Sequence, residues 1–499
     1  MSPCHHYRLL SWLVVALLAG CGQGAKTAGK LPLDMEYWEV MYIGDAKVGF
    51  GHTIVKTVGE GAQQQVETHA ENELTFDRFG QTITLHFDLS SVEKPDGTPL
   101  SFSATQKVGP SESKSTGVWR DNGVTIEAAT LGKKESKTIA WQPEFGGIFV
   151  KEQTLQRKPL KAGEERKLMA LFPMMNKLGE LRFKASEYKT TKLLSGEAKL
   201  LEISCTEIIG SERISSTIWV DDQGTILKQY LPQLKQTSYR TTKEIALGKN
   251  TGGTFDLGDS TIVKVNKRLN RPHQYQTIKY TATLPEGEIA DVFVACPAQS
   301  IKLIDKHTAE LTVQAIRPDL PKKLESKETP PTRDDLDPNN LVQSDDKLII
   351  QMAKSVLPNE QDPWKVAVAL ENFVRGTIKT KNFSQAFASA AEVAQSKEGD
   401  CTEHAVLLAA LCRARGIPAR GAMGLVYYPE GGGFAYHMWT EVWIADRWVP
   451  LDATLGKGGI GAAHLKIAQS NLKGADAYSA FLPVFRVLGQ LKLEIVEAK

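Results

Sequence analysis

The sequence predicts an α+β protein in which antiparallel β-rich regions precede a C-terminal domain of helices and a β-meander. Short alternating segments separated by Gly, Asn and Asp turns dominate residues 35–247. Residues after Asp345 instead repeat apolar side chains at helical spacing. Between these regions, residues 317–343 are rich in Pro, Lys, Glu and Asp, which is typical of a linker.

The length and composition indicate a multidomain globular protein. A chain of 499 residues is too long for one ordinary core, and about two to four domains are expected. Apolar residues make up 41% and charged residues 24%, a balance typical of soluble globular proteins. The formal net charge is only +2 and no long basic run occurs, so the sequence argues against a nucleic-acid partner.

The N-terminal residues have the pattern of an export signal. Histidine and arginine residues precede an apolar run, residues 9–19, that is too short to span a bilayer. The run ends in Leu-Ala-Gly-Cys at residues 18–21, which resembles the bacterial lipobox. In that motif the cysteine, here Cys21, becomes the lipidated first residue of the mature protein.

We therefore expect residues 1–20 to be a lipoprotein signal peptide and residues 21–33 to be a flexible tether. The resemblance implies lipidation at Cys21 and a protein held on a membrane of the bacterial cell envelope, outside the cytoplasm. A plain secretory signal or an uncleaved anchor is the alternative.

The β-rich part is predicted to form two domains. Residues 34–250 are expected to form a large antiparallel curved sheet or sandwich, and residues 251–317 a small β domain. A strong hairpin signal lies at residues 217–228, where two alternating segments flank Asp-Asp-Gln-Gly. Together with the Gly-x-x-Lys-Val-Gly run at residues 44–49, it loosely resembles curved-sheet domains of bacterial envelope lipoproteins. That resemblance concerns the fold alone.

Residues 318–345 are expected to be a linker, and residues 346–499 a C-terminal domain that opens with helices. Apolar residues from Leu348 onward recur at i, i+1, i+4, i+5 and i+8, which predicts one helix. A second helix is predicted to begin near Asp362-Pro363, because proline is favoured in the first turn of a helix.

A longer helix is predicted to begin at Cys401. Asp400, with Glu403 three residues later, resembles a capping box, and Gly416 predicts the end of the helix. This places Cys401 in the first turn, where the positive end of the helix dipole favours a thiolate. The rest of the helix is apolar nearly all round, so Cys412 is expected to be buried.

Beyond Arg420 the hydrophobic period becomes two, which predicts three antiparallel strands packed on this helix. His437 lies on the middle strand and Asp452 on the next one. Simple pairing would place Asp452 opposite Thr440 or Glu441. Contact with His437 therefore requires either a bulge, for which Pro450 is a candidate, or a diagonal reach.

Four ordered motifs in this region resemble the transglutaminase-like superfamily, whose fold is related to that of papain. They are Gly-Asp-Cys-Thr-Glu-His-Ala at 399–405, Arg-Ala-Arg-Gly-Ile-Pro-Ala-Arg at 413–420, His-Met-Trp-Thr-Glu-Val-Trp at 437–443 and Trp-Val-Pro-Leu-Asp-Ala-Thr at 448–454. The resemblance covers residues 345–499 and implies a nucleophile at Cys401, a base at His437 and an orienting carboxylate at Asp452. One departure is Ala453, where proline is commoner, and it leaves the carboxylate in place.

The residue types also suit this chemistry by themselves. A thiolate–imidazolium pair supplies a nucleophile and a proton for the leaving amine, and a carboxylate holds the imidazole tautomer. The backbone N–H of Cys401 is the expected oxyanion donor, and a second donor upstream of it is not identified. Cys401 and His404 could be half of a zinc site, but no second Cys/His pair has suitable spacing, so no metal or cofactor is expected.

The predicted function is that of a lipid-anchored thiol enzyme that forms an acyl-enzyme from amide bonds of a peptide or protein substrate. Hydrolysis is favoured, because generic bacterial members of the superfamily are more often regarded as proteases. Transamidation by a transglutaminase is one alternative. A non-catalytic binding or scaffold lipoprotein is the other, since the β-rich regions make up most of the chain. The sequence leaves the substrate and the oligomeric state open.

Overall fold

The computed structural model describes residues 34–108, 111–121, 123–130, 133–210, 212–249, 252–285, 287–316, 329–383, 388–473, 484, 487 and 489–499. The predicted signal peptide, the tether and Cys21 lie outside these residues. Within them, a large antiparallel sheet precedes a C-terminal α+β region, as the sequence predicts. No helix in the described part of the chain has both the length and the apolar character needed to cross a membrane.

The N-terminal sheet contains fourteen strands among the described residues, and every neighbouring pair is antiparallel. In chain order they are β1 (Met35–Ile43), β2 (Ala46–Val58), β3 (Gln65–Arg78), β4 (Gln81–Glu93), β5 (Pro99–Val108), β6 (Ser111–Arg120), β7 (Gly123–Thr130), β8 (Lys133–Ala140), β9 (Glu165–Phe172), β10 (Lys177–Leu193), β11 (Gly196–Ile209), β12 (Glu212–Val220), β13 (Ile226–Leu231) and β14 (Gln236–Thr241). The spatial order is β8-β7-β6-β5-β4-β3-β2-β1-β14-β13-β12-β11-β10-β9, so β1 and β14 meet at its centre.

The two wings of this sheet bend back toward each other. Phe102 on β5 and Val124 on β7 share a buried cluster with Leu171 on β9, although these strands are far apart in the sheet. Helix α1 (Val150–Arg157) lies between β8 and β9 in the sequence and buries Leu155 against the β9–β13 wing, including Ile203. The region predicted to be a curved sheet or a sandwich is therefore one sheet that curves around apolar clusters.

The remaining elements follow the sheet in the chain: the helices at residues 243–247 and 257–260 pack on β1–β3, and the others build the C-terminal region. They are α2 (Lys243–Leu247), α3 (Leu257–Ser260), β15 (Val263–Lys264), β16 (Thr277–Thr283), β17 (Gln299–Leu303), β18 (Thr308–Gln314), α4 (Lys347–Ser355), α5 (Pro363–Thr377), α6 (Ala390–Ser396), α7 (Cys401–Ala414), β19 (Ala419–Tyr428), β20 (Gly433–Ile444), β21 (Arg447–Leu451), β22 (His464–Ser470) and β23 (Lys492–Ala498). Short 3-10 turns occur at Gly61–Gln63, Pro272–Gln274, Ile289–Asp291 and Arg333–Asp335.

Side-chain caps determine where the helices begin. The Asp346 carboxylate accepts the backbone N–H of Leu348 at 2.8 Å and starts α4. The Asp362 carboxylate accepts the N–H of Trp364 at 2.9 Å and starts α5, with Pro363 in the first turn as predicted. Each cap satisfies a backbone donor that the helix itself cannot pair.

Helix α7 is the central element of the C-terminal region. All of its residues from Thr402 to Arg413 are buried. It packs against β19 and β20 on one side and against α4, α5 and α6 on the other. A helix that is apolar nearly all round must be enclosed in this way, because no face of it can be left to water at low cost. Any group at its first turn is consequently held by a rigid core.

Two sheets flank the helices, and they share one hydrophobic core. One contains β15-β20-β19-β22 with β21 beside β20, and the other is ordered β17-β18-β16-β23. Buried side chains from Val263 on β15 to Ile495 on β23 belong to a single cluster with those of α7. The division at residues 317 and 346 stays a prediction, and the structure adds that β23 completes the sheet of the small β region.

The second half of the predicted linker is packed rather than free. Leu341 and Val342 are buried in the core of the C-terminal region. The Asn339 side-chain oxygen accepts the N–H of Val342 at 2.8 Å, and its amide donates to the carbonyl of Asn471 at 2.9 Å. The polar composition of residues 329–345 therefore serves local turns and hydrogen bonds with the domain that follows.

The β3–β4 turn of the N-terminal sheet reaches the C-terminal region. The Asp256 carboxylate accepts the backbone N–H groups of Phe79 at 3.0 Å and Gly80 at 2.7 Å. The Gln81 side chain accepts the N–H of Phe383 at 2.6 Å and donates to the carbonyl of Lys381 at 3.1 Å. These contacts fix one hairpin of the sheet against the segment that precedes α6.

Strand β23 provides a test of the shared core. Ile495 is 1% exposed, whereas its neighbour Val496 is 52% exposed. Ile495→Ala should lower the free energy of unfolding of the C-terminal region by about 2–4 kcal/mol, because it leaves a cavity in the core. Val496→Ala, the matched control, should change it by less than about 0.5 kcal/mol. Urea titration measures both, and equal effects would contradict the role of β23 in the core.

Candidate active site

The first turn of α7 is fixed by a complete capping box. The Asp400 carboxylate accepts the N–H of Thr402 at 2.8 Å, and the Glu403 carboxyl accepts the N–H of Asp400 at 2.9 Å. Glu403 also accepts the N–H of Ala388 at 3.1 Å, which ties the helix to the start of α6. The sequence predicted this box, and it places Cys401 at the first helical position.

Cys401 is half-buried, in contrast to the fully buried Cys412 on the same helix. Its backbone N–H belongs to the first turn of α7, where N–H groups have no acceptor within the helix. Its sulfur therefore lies at the positive end of the helix dipole. Burial raises the pKa of Cys412 far above the usual range, so that thiol stays neutral.

His437 lies on β20 between Cys401 and Asp452. Its Nε2 is 2.8 Å from Asp452 Oδ2, and the Cys401 sulfur is near enough to act on the charge of its ring. Because Nε2 is engaged by the carboxylate, Nδ1 is the ring nitrogen left for the sulfur. Burial alone would lower the pKa of His437, but the Asp452 carboxylate and the Cys401 sulfur raise it well above its usual value. The surroundings therefore favour an imidazolium next to the thiol.

The contact between β20 and α7 also has its own hydrogen bond. The Thr440 hydroxyl donates to the backbone carbonyl of Ala405 at 2.9 Å. On the same strand, the Glu441 carboxylate accepts hydrogen bonds from Lys466 at 2.6 and 2.7 Å and from Arg420 at 2.8 Å. All three side chains are buried. These pairs link β19, β20 and β22, so the strand that carries His437 is fixed on both sides.

Asp452 reaches His437 diagonally, without a bulge. Strands β20 and β21 pair in regular register, with Thr440 opposite Leu451. Asp452 follows Leu451 directly, and the diagonal neighbour on the same face of β20 is His437. The diagonal alternative is therefore correct and the bulge at Pro450 is wrong.

The β20–β21 turn explains this register. Ala445 and Asp446 both have positive φ, 51° and 60°, which is a two-residue hairpin turn that pairs Ile444 with Arg447. The sequence prediction placed Thr440 or Glu441 opposite Asp452. The observed turn places Trp439 there instead.

The Asp452 carboxylate is a fully buried hydrogen-bond acceptor. Its Oδ1 accepts the N–H of Thr454 at 2.9 Å and the Thr454 hydroxyl at 2.6 Å. Its Oδ2 accepts His437 and, at 3.1 Å, the Nε2 of His464 on β22. Burial alone would raise the pKa of Asp452, but the two histidines lower it well below its usual value. It therefore stays ionised and orients the imidazole of His437.

His464 is a site residue that sequence reasoning did not assign. It is completely buried, and burial lowers its pKa, so it is a neutral donor to Asp452. One possible ligand atom from each of His437, Asp452 and His464 lies within 4.8 Å of the others, a spacing that a metal ion could use. The separations of 2.8 and 3.1 Å are those of direct hydrogen bonds, and we interpret the trio in that way.

Glu371 is a second residue that sequence reasoning missed. It lies on the buried face of α5 and accepts the backbone N–H groups of Asp452 at 3.1 Å and Gly458 at 2.8 Å. Burial raises its pKa to about 7, with the Asp452 charge adding to the effect. The available signal was an acidic residue within the apolar face of a helix, which is unusual unless the carboxyl has partners.

His404 has a structural role beside the site. Its Nδ1 donates to the backbone carbonyl of Asp400 at 2.6 Å, and burial lowers its pKa. Trp439 is also buried; its ring lies 6.4 Å from that of His437 and 5.4 Å from that of His464. The structure thus brings Cys401, His437 and Asp452 together and surrounds them with buried partners.

Comparison with known proteins agrees with this arrangement. Residues 350–453 match the sequence profile of Transglut_core, the Transglutaminase-like superfamily. The chain therefore contains a transglutaminase-like domain, which follows the large antiparallel sheet, and the predicted fold class is confirmed. No curated protein matches the chain in sequence.

Three solved structures are distantly similar to this chain. A proposed cysteine protease from Cytophaga hutchinsonii is 17% identical, with 44% of this chain and 83% of that chain covered and a TM-score of 0.29. A proposed protease from Parabacteroides distasonis is 10% identical, with 71% and 64% covered and a TM-score of 0.18. A duf1089 family protein from Pseudomonas aeruginosa is 13% identical, with 35% and 87% covered and a TM-score of 0.22. Scores this low support no argument about function.

Glu371 provides a test of how the Asp452 segment is held. Glu371→Ala should lower the free energy of unfolding by roughly 2 kcal/mol or more, because two buried backbone N–H groups lose their acceptor. Asn372→Ala, on the exposed side of the same helix, should change it by less than about 0.5 kcal/mol. Urea titration followed by tryptophan fluorescence measures both. If both substitutions changed the free energy of unfolding by the same small amount, the Asp452 segment would not depend on Glu371.

Proposed function

We propose that this chain is a thiol enzyme that cleaves amide bonds of a peptide or protein substrate through an acyl-enzyme on Cys401. One observation carries the proposal: His437 is hydrogen-bonded to the buried Asp452 carboxylate at 2.8 Å, and the Cys401 sulfur and that carboxylate both raise its pKa. The sulfur is half-buried at a helix N-terminus, so it is both activated and reachable.

The residues suit an acyl-transfer mechanism. The Cys401 thiolate attacks the amide carbonyl and forms a C–S bond, while the backbone N–H of Cys401 stabilises the oxyanion. The imidazolium of His437 then donates its Nδ1 proton to the leaving amine as the C–N bond breaks. In the second half, neutral His437 takes a proton from water, the resulting hydroxide attacks the thioester, and Cys401 leaves as thiolate. Asp452 holds the imidazole in one tautomer throughout.

Transamidation remains the alternative outcome of the same acyl-enzyme. It differs only in the nucleophile of the second half, an amine instead of water. Water can reach an acyl group on a half-buried sulfur without a dedicated binding site. An amine must first be bound and deprotonated next to that acyl group. This consideration favours hydrolysis. A fluorescent primary amine incorporated into casein, with little release of peptides, would reverse the assignment.

A binding or scaffold function is the candidate from another class. The N-terminal sheet is larger than the C-terminal region, and catalysis would then be incidental. A thiol enzyme and a scaffold protein differ in what they require of Cys401. A scaffold does not need a thiol that reacts faster than an ordinary buried or surface cysteine.

Alkylation of the cysteines tests the proposed function directly. In the folded protein, iodoacetamide at pH 6 should modify Cys401 and spare Cys412, because only Cys401 has a helix N-terminus and an imidazolium beside it. His437→Ala should raise the pH needed for Cys401 to react. Peptide mass spectrometry reads each cysteine separately. Similar rates at both cysteines, or an unreactive Cys401 below pH 7, would favour the scaffold function.

Activity on fluorescent casein should follow the same residues. Cys401→Ala should abolish peptide release while the fold persists, since alanine is a good helix former. Asp452→Asn should reduce the rate by roughly a thousandfold, because the imidazole loses its orienting carboxylate. Thermal unfolding of each variant serves as the control for folding. Turnover by Cys401→Ala at the normal rate would rule out the mechanism.

We also propose that the protein is anchored to an envelope membrane through a lipid on Cys21, on the basis of the lipobox-like residues 18–21. Cys21→Ser should therefore release the protein from the membrane fraction or leave its signal uncleaved. Metabolic labelling with a fatty-acid analogue and fractionation of the cells measure this. Equal labelling of the wild type and Cys21→Ser would contradict the anchor.

A further inference from the structure

The N-terminal sheet places a charged residue at the start of the active-site helix. Arg78, the last residue of β3, lies with its Nη1 2.6 Å from Oδ2 of Asp400. The Asp400 side chain is 1% exposed and that of Arg78 is 24% exposed, so the ion pair is shielded on the carboxylate side. An arginine from one region of the fold thus neutralises the residue next to Cys401 in the other.

Several contacts of the β3–β4 turn fix the position of Arg78. The backbone of Phe79 and Gly80 is bound by Asp256, and Gln81 binds the backbone of the 381–383 segment. The Phe79 ring packs at 5.1 Å from that of Phe383 and 5.8 Å from that of Tyr428. The Arg78 guanidinium lies 5.8 Å above the Phe383 ring. The arginine is therefore positioned by several contacts and does not depend on the ion pair alone.

The carboxyl pair at the start of α7 carries a negative charge beside the sulfur. Burial and the Asp400 charge raise the pKa of Glu403 well above its usual value, which favours its neutral form. Burial alone would raise the pKa of Asp400, but the Arg78 charge and the hydrogen bond from the Thr402 N–H lower it. One net negative charge remains on the pair. Such a charge next to Cys401 disfavours a thiolate unless a cation offsets it.

Among the described residues, the other charged groups around the sulfur do not supply that cation on the Asp400 side. Arg78 faces Asp400, Cys401 and Glu403 of α7. From β20, His437 faces the sulfur, but its charge is already shared with Asp452. His404 on α7 has a pKa lowered by burial and is neutral.

We propose that Arg78 is a positioning residue of the thiol site: its guanidinium holds the Asp400 carboxylate and offsets its charge, so that Cys401 can exist as a thiolate beside His437. This inference rests on the proposed thiol function. It makes the N-terminal sheet part of the active site and gives the β3–β4 hairpin a role in activating the nucleophile.

The pH profile of iodoacetamide modification of Cys401 in the full chain tests this role. Arg78→Gln should move the profile about one pH unit upward, and so slow alkylation roughly tenfold at pH values below the midpoint of the wild-type profile. Arg78→Lys keeps the charge and should restore most of the wild-type profile. Arg120→Gln, an exposed arginine at the end of β6 in the same sheet, should leave the profile unchanged. An unchanged profile for Arg78→Gln, or equal shifts for the Gln and Lys variants, would overturn the proposal.

A double-substitution cycle separates charge compensation from a merely structural effect. Asp400→Asn removes the carboxylate and keeps a good helix cap. In that background Arg78→Gln should shift the profile by less than half as much as in the wild type, and no buried charge is left unpaired to destabilise the fold. A shift of the same size in both backgrounds would show that Arg78 does not act through Asp400.

The outcomes also distinguish this inference from the proposed function. If wild-type Cys401 is unreactive below pH 7, the thiol function itself fails. If wild-type Cys401 reacts and Arg78→Gln reacts identically, only the role of Arg78 fails. Thermal unfolding of each variant shows whether a change in reactivity accompanies loss of structure, and a shift in a variant that unfolds at the wild-type temperature supports the electrostatic role.

Discussion

The capping box of α7 is the interaction on which the rest of the site depends. Asp400 and Glu403 each satisfy a backbone N–H at the start of the helix and so determine the residue at which it begins. Gly399 makes the box possible: its φ is 151°, and a Cβ at that position would lie 2.3 Å from Cβ of Glu403. With the start of α7 fixed and its body enclosed by the core, Cys401 has one location relative to β20. The α7 dipole and the His437 imidazole then act on a sulfur whose position is fixed.

The charged and polar groups of the site follow one another in a fixed order from that sulfur. An imidazolium lies next to it, a buried carboxylate lies behind the imidazolium, and neutral His464 donates to that carboxylate from the far side. Glu371 holds the backbone of the same segment. Of these groups, only the sulfur and part of the His437 imidazole approach solvent, so the reactive pair can meet the substrate while its partners stay buried. This separation is typical of sites whose electrostatics are organised before binding.

Local patterns in the sequence were sufficient for much of this structure. Caps at Asp346, Asp362 and Asp400 are encoded within one helical turn, and the meander is encoded by its period. The Cys401, His437 and Asp452 constellation followed from motifs that the family profile also matches. The partners of Arg78, Glu371 and His464 could not be found in this way, because they lie on elements remote in the sequence. Glu371 was marked only by its place on an apolar helix face, and Arg78 and His464 had no local pattern at all.

The pairing of β16 with β23 has a consequence for how the molecule folds. Thr283 pairs with Lys492, and the chain between them contains α4 to α7 and the whole meander. Closing so long a loop has a large entropic cost, and contacts of this range slow folding. The small sheet cannot be complete in a chain that lacks β23, and the core shared with α7 stays open until that strand docks. A chain that ends at the meander therefore lacks one strand of the core that encloses α7.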